Sequence, residues 1–257
     1  MSAEPGDQHL TLLQRLDLAL ASRVAYKRER LDLARPEDWQ SEALREDPAS
    51  DSHWISRVLA LRGFEFDGSK VLEILHGRSD PNAQQSQEAR LMRGVSAVLR
   101  TTRDQAAEGR IPDGWLAVEL FRQLTGEIAR FKGNALRRDL PWDGIVGVSY
   151  PDADKVPALL EGFCEQRGYG ETGEDFARAH PVRRAVRLMW HFGRIAPFSD
   201  FNTVMSFILM NGYLLAKGYP IVTPQPGDRG LLTQLIAGPP PRRLVQFESR
   251  LVEFVGA

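Results

Sequence analysis

Apolar residues recur at helical spacing through most of the chain. Leucines and one valine recur on a helical period over residues 9–34, which predicts an amphipathic helix that ends before Pro36. The same period predicts further helices over 54–61, 89–103, 113–131, 156–167, 180–193, 229–236 and 244–254. Residues 37–52 are charged and irregular, and loops are predicted at 78–87, 168–174 and 221–227. The chain is therefore expected to be mainly α-helical.

One helix is almost entirely apolar and follows a polar turn. The run from Phe207 ends at Gly218, Tyr219 and Pro220, and this order is typical of a helix C-terminus. Residues 200–203 precede the run, so unpaired amides and the positive end of the helix dipole are expected to lie beside them. This is the general physical basis of an anion site.

Residues 142–151 are the only stretch with convincing β character. They are short, rich in β-branched residues and bounded by Gly and Pro, and they predict one β-hairpin. The predicted fold is therefore all-α with one short β-hairpin. The loop at 78–87 divides the prediction into an N-terminal helical region, 1–80, and a larger helical core, 81–257.

Composition argues against nucleic-acid binding, a disulfide-rich fold and a membrane-spanning protein. With 257 residues, 42% of them hydrophobic, and a net charge of −1, the chain can bury a substantial core and carries no excess of positive charge for nucleic acid. The single cysteine, Cys164, excludes a disulfide framework. No apolar run approaches the roughly 20 residues of a membrane span, and no secretory leader is recognisable. A cytoplasmic location without membrane contact is expected, and the pattern does not indicate an oligomeric state.

Catalytic and metal-binding motifs are scarce. The five histidines show no metal-ligand spacing, and no nucleotide-binding glycine loop or nucleophile elbow is present. No metal site is predicted. Asp200 and Asn202 are the polar pair of interest, with helix capping as their alternative role.

The order of helix, loop and helix from 180 to 220 resembles the core of Fic proteins. Ile195-Ala196-Pro197-Phe198, Asp200 and Asn202 lie where active Fic proteins carry HxFx(D/E)GN(G/K)RxxR. The resemblance implies the Fic fold and, in active members, transfer of AMP from ATP to a protein hydroxyl. There the His is the general base, the acidic residue holds Mg²⁺, and the glycines and arginines hold phosphates.

This sequence departs from that pattern at five positions. Ala196 replaces the base, Phe201 and Thr203 replace the glycines, and Val204 and Phe207 replace the arginines. Alanine cannot accept a proton, and bulky or β-branched residues disfavour a close phosphate cradle. We therefore expect ATP and Mg²⁺ to bind weakly or not at all, with no confident catalytic residue.

The resemblance extends to an N-terminal inhibitory helix of the pattern (S/T)xxxE(G/N). Its hydroxyl position is Val58, its glutamate position is Arg62, and the family partner of that glutamate corresponds to Phe207. A second helix is expected over 67–75. The alternative interpretation is an apolar helix that ends in a solvated arginine.

The resemblance places the predicted hairpin at the Fic flap, where an extended target segment pairs with an exposed edge. The expected docking residues are Ile145, Val146, Gly147, Val148 and Ser149, and the expected partner is a protein or peptide. The alternative is a hairpin that only packs on the helices.

Three functions remain open at this point. The first is a Fic-fold pseudoenzyme, with a degenerate active site, that binds or regulates a partner. The second is an enzyme with a more apolar cleft that takes a small molecule or peptide, with Asp200 and His191 as candidate catalytic residues. Residual AMP transfer is the third. The cleft is expected to be lined by the following residues: Arg62, Phe198, Asp200, Phe201, Asn202, Thr203, Val204 and Phe207.

Overall fold

The computed structural model describes residues 11–35, 37–133, 135–163, 178–237 and 240–255. Over these residues the chain forms α-helices joined by turns and two short 3₁₀ segments, Ala129–Phe131 and Ala153–Lys155. We number the helices α1 Leu12–Ala34, α2 Trp39–Leu44, α3 Pro48–Ala60, α4 Gly68–Leu75, α5 Pro81–Gln85, α6 Gln87–Ala107, α7 Gly114–Thr125, α8 Val156–Glu161, α9 Pro181–Ile195, α10 Asn202–Ala216, α11 Asp228–Ala237 and α12 Pro240–Val255. The predicted all-α class is confirmed.

Local capping explains where the helices differ from their predicted bounds. A short helix, α5, lies inside the predicted loop at 78–87, because the Asp80 carboxylate accepts hydrogen bonds from Asn82 and Ala83 amides at 2.9 and 3.0 Å. Helix α3 begins at Pro48, before its predicted start, because Asp47 caps it in the same way. The predicted end of the helix from Val156, together with Cys164, lies outside the described residues.

The hairpin predicted over 142–151 is not seen, because this stretch forms turns and no strand. The Gly144 amide donates to the Pro141 carbonyl at 3.0 Å, and the Val148 amide donates to the Ile145 carbonyl at 3.1 Å. In the described part of the chain, no neighbouring strand pairs with this stretch. Its backbone groups instead use local partners, including the Tyr150 hydroxyl, which accepts from the Ile145 amide at 2.9 Å.

Helix α10 lies at the centre of the molecule and packs chiefly against α9 and α6. Of its residues only Thr203 and Ala216 are not buried, which agrees with its nearly uniform apolar sequence. Its C-terminus is a Schellman cap, in which the Tyr219 amide donates to the Leu214 carbonyl at 2.9 Å and Gly218 has a φ of 71°. The N-terminus of this central helix therefore points at the loop that carries Asp200.

Candidate functional site

The loop of residues 196–201 joins α9 to α10 and is held by the segment that follows α7. Ala196 ends α9 in the left-handed region, with a φ of 43°, and its carbonyl accepts from the Arg137 Nε at 2.7 Å. The Arg137 amide donates to the Pro197 carbonyl at 2.9 Å, and the Trp142 amide donates to the Ser199 carbonyl at 2.7 Å. Residues 136–142 thus fix the loop from one side.

The Asp200 carboxylate is buried, at 1% exposure, and accepts hydrogen bonds from two arginines. Arg62 donates through Nε to Oδ1 at 2.5 Å and through Nη2 to Oδ2 at 3.2 Å. Arg130 donates through Nη2 to Oδ2 at 3.2 Å, and the Phe201 amide donates to Oδ1 at 2.7 Å. Both carboxylate oxygens are therefore already used within the chain.

Arg62 pairs with a residue that the family resemblance did not predict. It follows α3, and its fork reaches Asp200 instead of the residue at 207. The hydrogen bond to Asp200 raises the pKa of the Arg62 guanidinium, in spite of its partial burial. The alternative of a solvated arginine at a helix end is wrong, because the Arg62 charge is paired with Asp200 and only 29% of its side chain is exposed.

Asn202 and Asp143 together occupy the N-terminus of α10. The Asn202 Nδ2 donates to Asp143 Oδ1 at 2.7 Å and to the Phe198 carbonyl at 2.9 Å, and its Oδ1 accepts from the Phe198 amide at 2.9 Å. The Thr203 amide donates to Asp143 Oδ2 at 3.3 Å. The side chain that caps this helix is therefore the carboxylate of Asp143. The predicted capping residues, Asp200 and Asn202, do not fill this role.

The Asp143 carboxyl is close to a second acidic group. Burial raises its pKa above the ordinary value, the hydrogen bond from Asn202 opposes that change, and the charge of nearby Asp200 adds to it. The anion predicted at this helix N-terminus is therefore a carboxylate of the chain itself.

Phenylalanine rings fill the space on the inner side of the loop. Phe198 stacks on Phe121 with ring centroids 3.9 Å apart. Phe201 is fully buried, stacks on Phe64 at 6.1 Å and meets the edge of Phe131 at 5.9 Å. Phe201 has a φ of 62°, so a residue with a Cβ occupies the left-handed conformation that glycine adopts at lower cost.

Val204 and Phe207 also point away from solvent, with exposures of 0% and 1% in the core beneath α10. They do not line an open cleft. Thr203 is the member of the predicted set on α10 that does line one, together with Arg62.

His191 lies apart from this group. Its ring stacks on Phe163 at 6.1 Å and tilts against Trp190 at 6.4 Å. Burial lowers its pKa to about 4, so the imidazole is neutral at physiological pH. Its described contacts are aromatic, and no described contact joins it to Asp200.

The open part of the site is a cleft of about 470 Å³ between the segment after α3, the predicted flap and α11. Of the predicted docking residues, Ile145 and Val146 line it, and Val146 is 97% exposed. Arg62, Asp143, Thr203, Arg229 and Thr233 also line it.

Four residues of this region were not singled out from the sequence: Arg130, Arg137, Asp143 and Arg229. The sequence did carry a hint for Asp143, because it is an acidic residue within a stretch that is otherwise apolar and β-like. It carried no such hint for the three arginines, because exposed arginines and structural arginines cannot be distinguished from sequence alone.

In the described part of the chain, no group of three or more His, Cys, Asp or Glu side chains could hold a metal ion. None of the helices found there has the length and apolar character needed to cross a bilayer.

The Fic/DOC family model matches residues 115–214, which include α7, α9, the loop and most of α10. The match supports Fic family membership for this segment. A curated relative, the protein adenylyltransferase Fic of Culex quinquefasciatus, is 31% identical over 112 residues, and the match covers 44% of this chain and 21% of the relative. The chain thus matches about a fifth of that relative's length.

Solved Fic structures share the fold. Fic-1 from C. elegans superposes with a TM-score of 0.68 and 17% identity, over 94% of this chain and 71% of that one. A Fic domain containing signaling protein from Bacteroides thetaiotaomicron gives 0.65 and 21% identity, over 92% and 93% of the two chains. At such identities the likeness concerns the fold alone.

Proposed function

We propose that this chain is a Fic-fold binding protein with a degenerate active site, which regulates a partner and does not transfer AMP from ATP. One observation carries the proposal, namely the Asp143 carboxylate, which accepts from the Thr203 amide and from the Asn202 side chain at the start of α10. In the Fic resemblance, the backbone of this segment cradles phosphate. A ligand phosphate would have to displace an internal anion.

Electrostatics make that displacement costly. Two unit negative charges about 4 Å apart repel by about 4 kcal/mol at an effective dielectric constant of 20. The arginines that would compensate this repulsion in the family correspond to Val204 and Phe207, which are buried hydrocarbon here. Arg62 and Arg130, whose guanidinium groups lie beside this loop, are already paired with Asp200.

Magnesium does not fit the group at Asp200 either. A hard cation needs free oxygen ligands, whereas both Asp200 oxygens accept hydrogen bonds from cationic guanidinium groups and one also accepts from an amide. Ala196 offers no proton acceptor at the base position, and the Arg137 Nε occupies its carbonyl oxygen. These contacts support the loss of nucleotide chemistry.

A second candidate is an enzyme with a re-purposed cleft that acts on a small molecule or peptide. The cleft of about 470 Å³ favours it, because Ile145, Val146 and Trp142 give it apolar walls beside the Thr203 hydroxyl. Residual AMP transfer is the third candidate, and the name of the Culex relative is its support.

Titration calorimetry with ATP and Mg²⁺ tests the proposal directly. We expect no saturable heat for the wild-type protein up to about 1 mM ATP. The Asp143→Ala variant removes the internal anion, so it is expected to bind inorganic pyrophosphate more tightly than the wild type does. Asp143→Asn, which removes the charge and keeps the side-chain volume, should show a similar gain, and this result would assign the gain to the charge rather than to the added space.

Incubation with labelled ATP and a cell lysate tests the chemistry. The proposal predicts no label on any protein above a blank without this chain. Saturable ATP binding or AMP transfer by the wild type would refute it. A thermal-shift screen of small metabolites separates the second candidate, which predicts a stabilising apolar compound.

A further inference from the structure

A second cleft lies between the end of α3 and the turn before α11. Its volume is about 460 Å³, which is within the usual range of small-molecule pockets. Leu61 and Arg229 also line the cleft beside the predicted flap, whereas the other residues of this second cleft do not. Arg62 lines the cleft beside the flap and reaches Asp200, but the next residue, Gly63, lines the second cleft. The second cleft is therefore a separate cavity from the site at the loop.

The ionisable residues that line the second cleft are two arginines and one glutamate, namely Arg57, Arg229 and Glu65. Arg229 is exposed, and in the described part of the chain its side chain makes no ion pair. The Arg57 Nε donates to the Pro224 carbonyl at 2.9 Å, and this hydrogen bond orients its guanidinium. The lining thus carries one net positive charge.

The acidic residue next to Arg229 along the chain has other partners. The Asp228 carboxylate accepts from the Gln225 amide at 2.6 Å and pairs with Arg250 at 2.6 Å. Its side chain is only 5% exposed. Asp228 therefore does not cancel the charge of Arg229 within the cleft.

Gly63 gives the Arg229 guanidinium its place at the wall of the cleft. A Cβ on Gly63 would lie 2.8 Å from Arg229 Nη1, and Gly63 has a φ of 98°, which favours glycine. The guanidinium is thus packed against the backbone before any ligand arrives. Such restraint lowers the side-chain entropy that is lost on binding.

Another part of the lining is apolar. It consists of Leu61, Phe66 and Pro226. The Phe66 ring is half-buried and stacks on Phe64 with centroids 5.9 Å apart, which fixes its orientation. An apolar wall beside oriented cations favours an anion with an apolar body over a bare inorganic ion.

We propose that the second cleft binds a small organic carboxylate, with the carboxylate at Arg229 and Arg57 and the apolar part against Phe66. A monoanion neutralises the one net positive charge of the lining, whereas a dianionic phosphate would leave an excess of negative charge beside Glu65. The inference goes beyond the proposed function, because this cleft lies outside the degenerate loop and its ligand is not a nucleotide.

Amide NMR of the full chain, titrated with 3-phenylpropanoate, tests the inference. We expect saturable shifts of the Gly63 and Gly227 amides, with a dissociation constant of about 1 mM for a ligand of this size. The Ile145 and Thr233 amides, which lie at the other cleft, should not shift. The neutral analogue 3-phenylpropanamide should bind at least about tenfold more weakly, because it lacks the charge. Inorganic phosphate should give no saturable shift.

Three variants assign the contacts. Arg229→Gln should bind 3-phenylpropanoate about tenfold more weakly, as for loss of one charge-assisted hydrogen bond. Glu65→Gln should bind it about threefold more tightly, because the variant removes a repelling carboxylate at an exposed position. Arg45→Gln is the matched control and should bind as the wild type does, because Arg45 is an exposed arginine that lines neither cleft. Equal thermal melts would show that all three variants fold.

Four results would overturn the inference. They are no saturable shift with 3-phenylpropanoate, equal affinity for its amide, shifts at Ile145 and Thr233 in place of Gly63, and unchanged affinity in Arg229→Gln. Binding of inorganic phosphate as tight as that of the carboxylate would overturn it too. Failure of the proposed function is a separate result, because it is measured by ATP binding and labelling.

Discussion

At the scale of single residues, the site contains two carboxylates with different partners. Asp200 accepts from two guanidinium groups, whereas Asp143 accepts from a neutral amide side chain and a helix amide. The first pairing neutralises a fully buried charge, which is otherwise costly. The second uses the helix dipole in place of a cation. Together they leave the start of α10 electrostatically satisfied without a ligand.

The two arginines on Asp200 should contribute unequally to stability. Arg62 makes two hydrogen bonds and is 29% exposed, whereas Arg130 makes one and is 45% exposed. We expect Arg62→Ala to lower the free energy of unfolding by about 2 kcal/mol and Arg130→Ala by less than about 1 kcal/mol, as measured by urea denaturation. Arg130→Ala is the matched variant. Equal losses would show that Asp200 does not depend on the Arg62 fork.

Sequence reasoning found only part of this site. Asp200, Asn202 and Arg62 were selected from their positions in a motif, and all three make specific contacts. The Arg62 and Asp200 pair could not be derived, because the two residues are 138 positions apart and only the packing of α3 beside the loop brings them together. The cap on α10 was assigned to its neighbours along the chain, although the carboxylate comes from position 143.

At the scale of helices, close contacts depend on glycine. Gly94 of α6 faces the backbone of α7, and a Cβ there would lie 2.2 Å from the Leu124 carbonyl oxygen. Because both contact partners are backbone atoms of packed helices, the clash cannot be relieved by a side-chain rotation. Helix α7 carries residues that pack on the loop of the site, including Phe121. The spacing of these two helices therefore affects the loop.

A pair of glycine substitutions measures this constraint. Gly94→Ala should lower the free energy of unfolding by about 2 kcal/mol, because overpacking outweighs the better helix propensity of alanine. Gly230 also lies in a helix, and nothing lies within 4 Å of its added Cβ. Gly230→Ala should therefore raise stability by up to about 1 kcal/mol. Thermal or urea denaturation gives both values, and a stabilising Gly94→Ala would contradict the close helix contact.

At the scale of the whole molecule, one hydrophobic cluster joins the N-terminal helices to the Fic-matched helices. Trp54 and Val58 of α3 belong to the same cluster as Phe198 and Phe207. The first and last described helices also meet, since α1 packs on α12 and Arg28 donates to Glu248 at 2.6 Å. The predicted boundary between residues 80 and 81 stays a prediction.

Stability should depend on pH through His191, which packs against Phe163 of this cluster. Its folded pKa is lowered to about 4 by burial, below the ordinary value of 6.5, so the unfolded chain takes up the proton first. The free energy of unfolding should therefore fall as pH decreases from 6.5 to 4, by up to about 3 kcal/mol.

His191→Phe should remove that part of the pH dependence, because phenylalanine keeps the contact with Phe163 and has no proton to bind. His76→Gln is the control, since His76 is exposed. Urea denaturation at several pH values gives the comparison. The interpretation is wrong if the His191→Phe profile parallels that of the wild type.

The amino-acid sequence by itself determined the helical class, most helix positions and the polar turn before α10, because these follow from short-range periodicity and capping residues. It also pointed to Asp200, Asn202 and Arg62. The tertiary structure alone decided that residues 142–151 form turns, that Asp143 occupies the start of α10, and that Arg62 reaches Asp200. These features depend on which distant side chains meet, and local sequence patterns carry no information about such contacts.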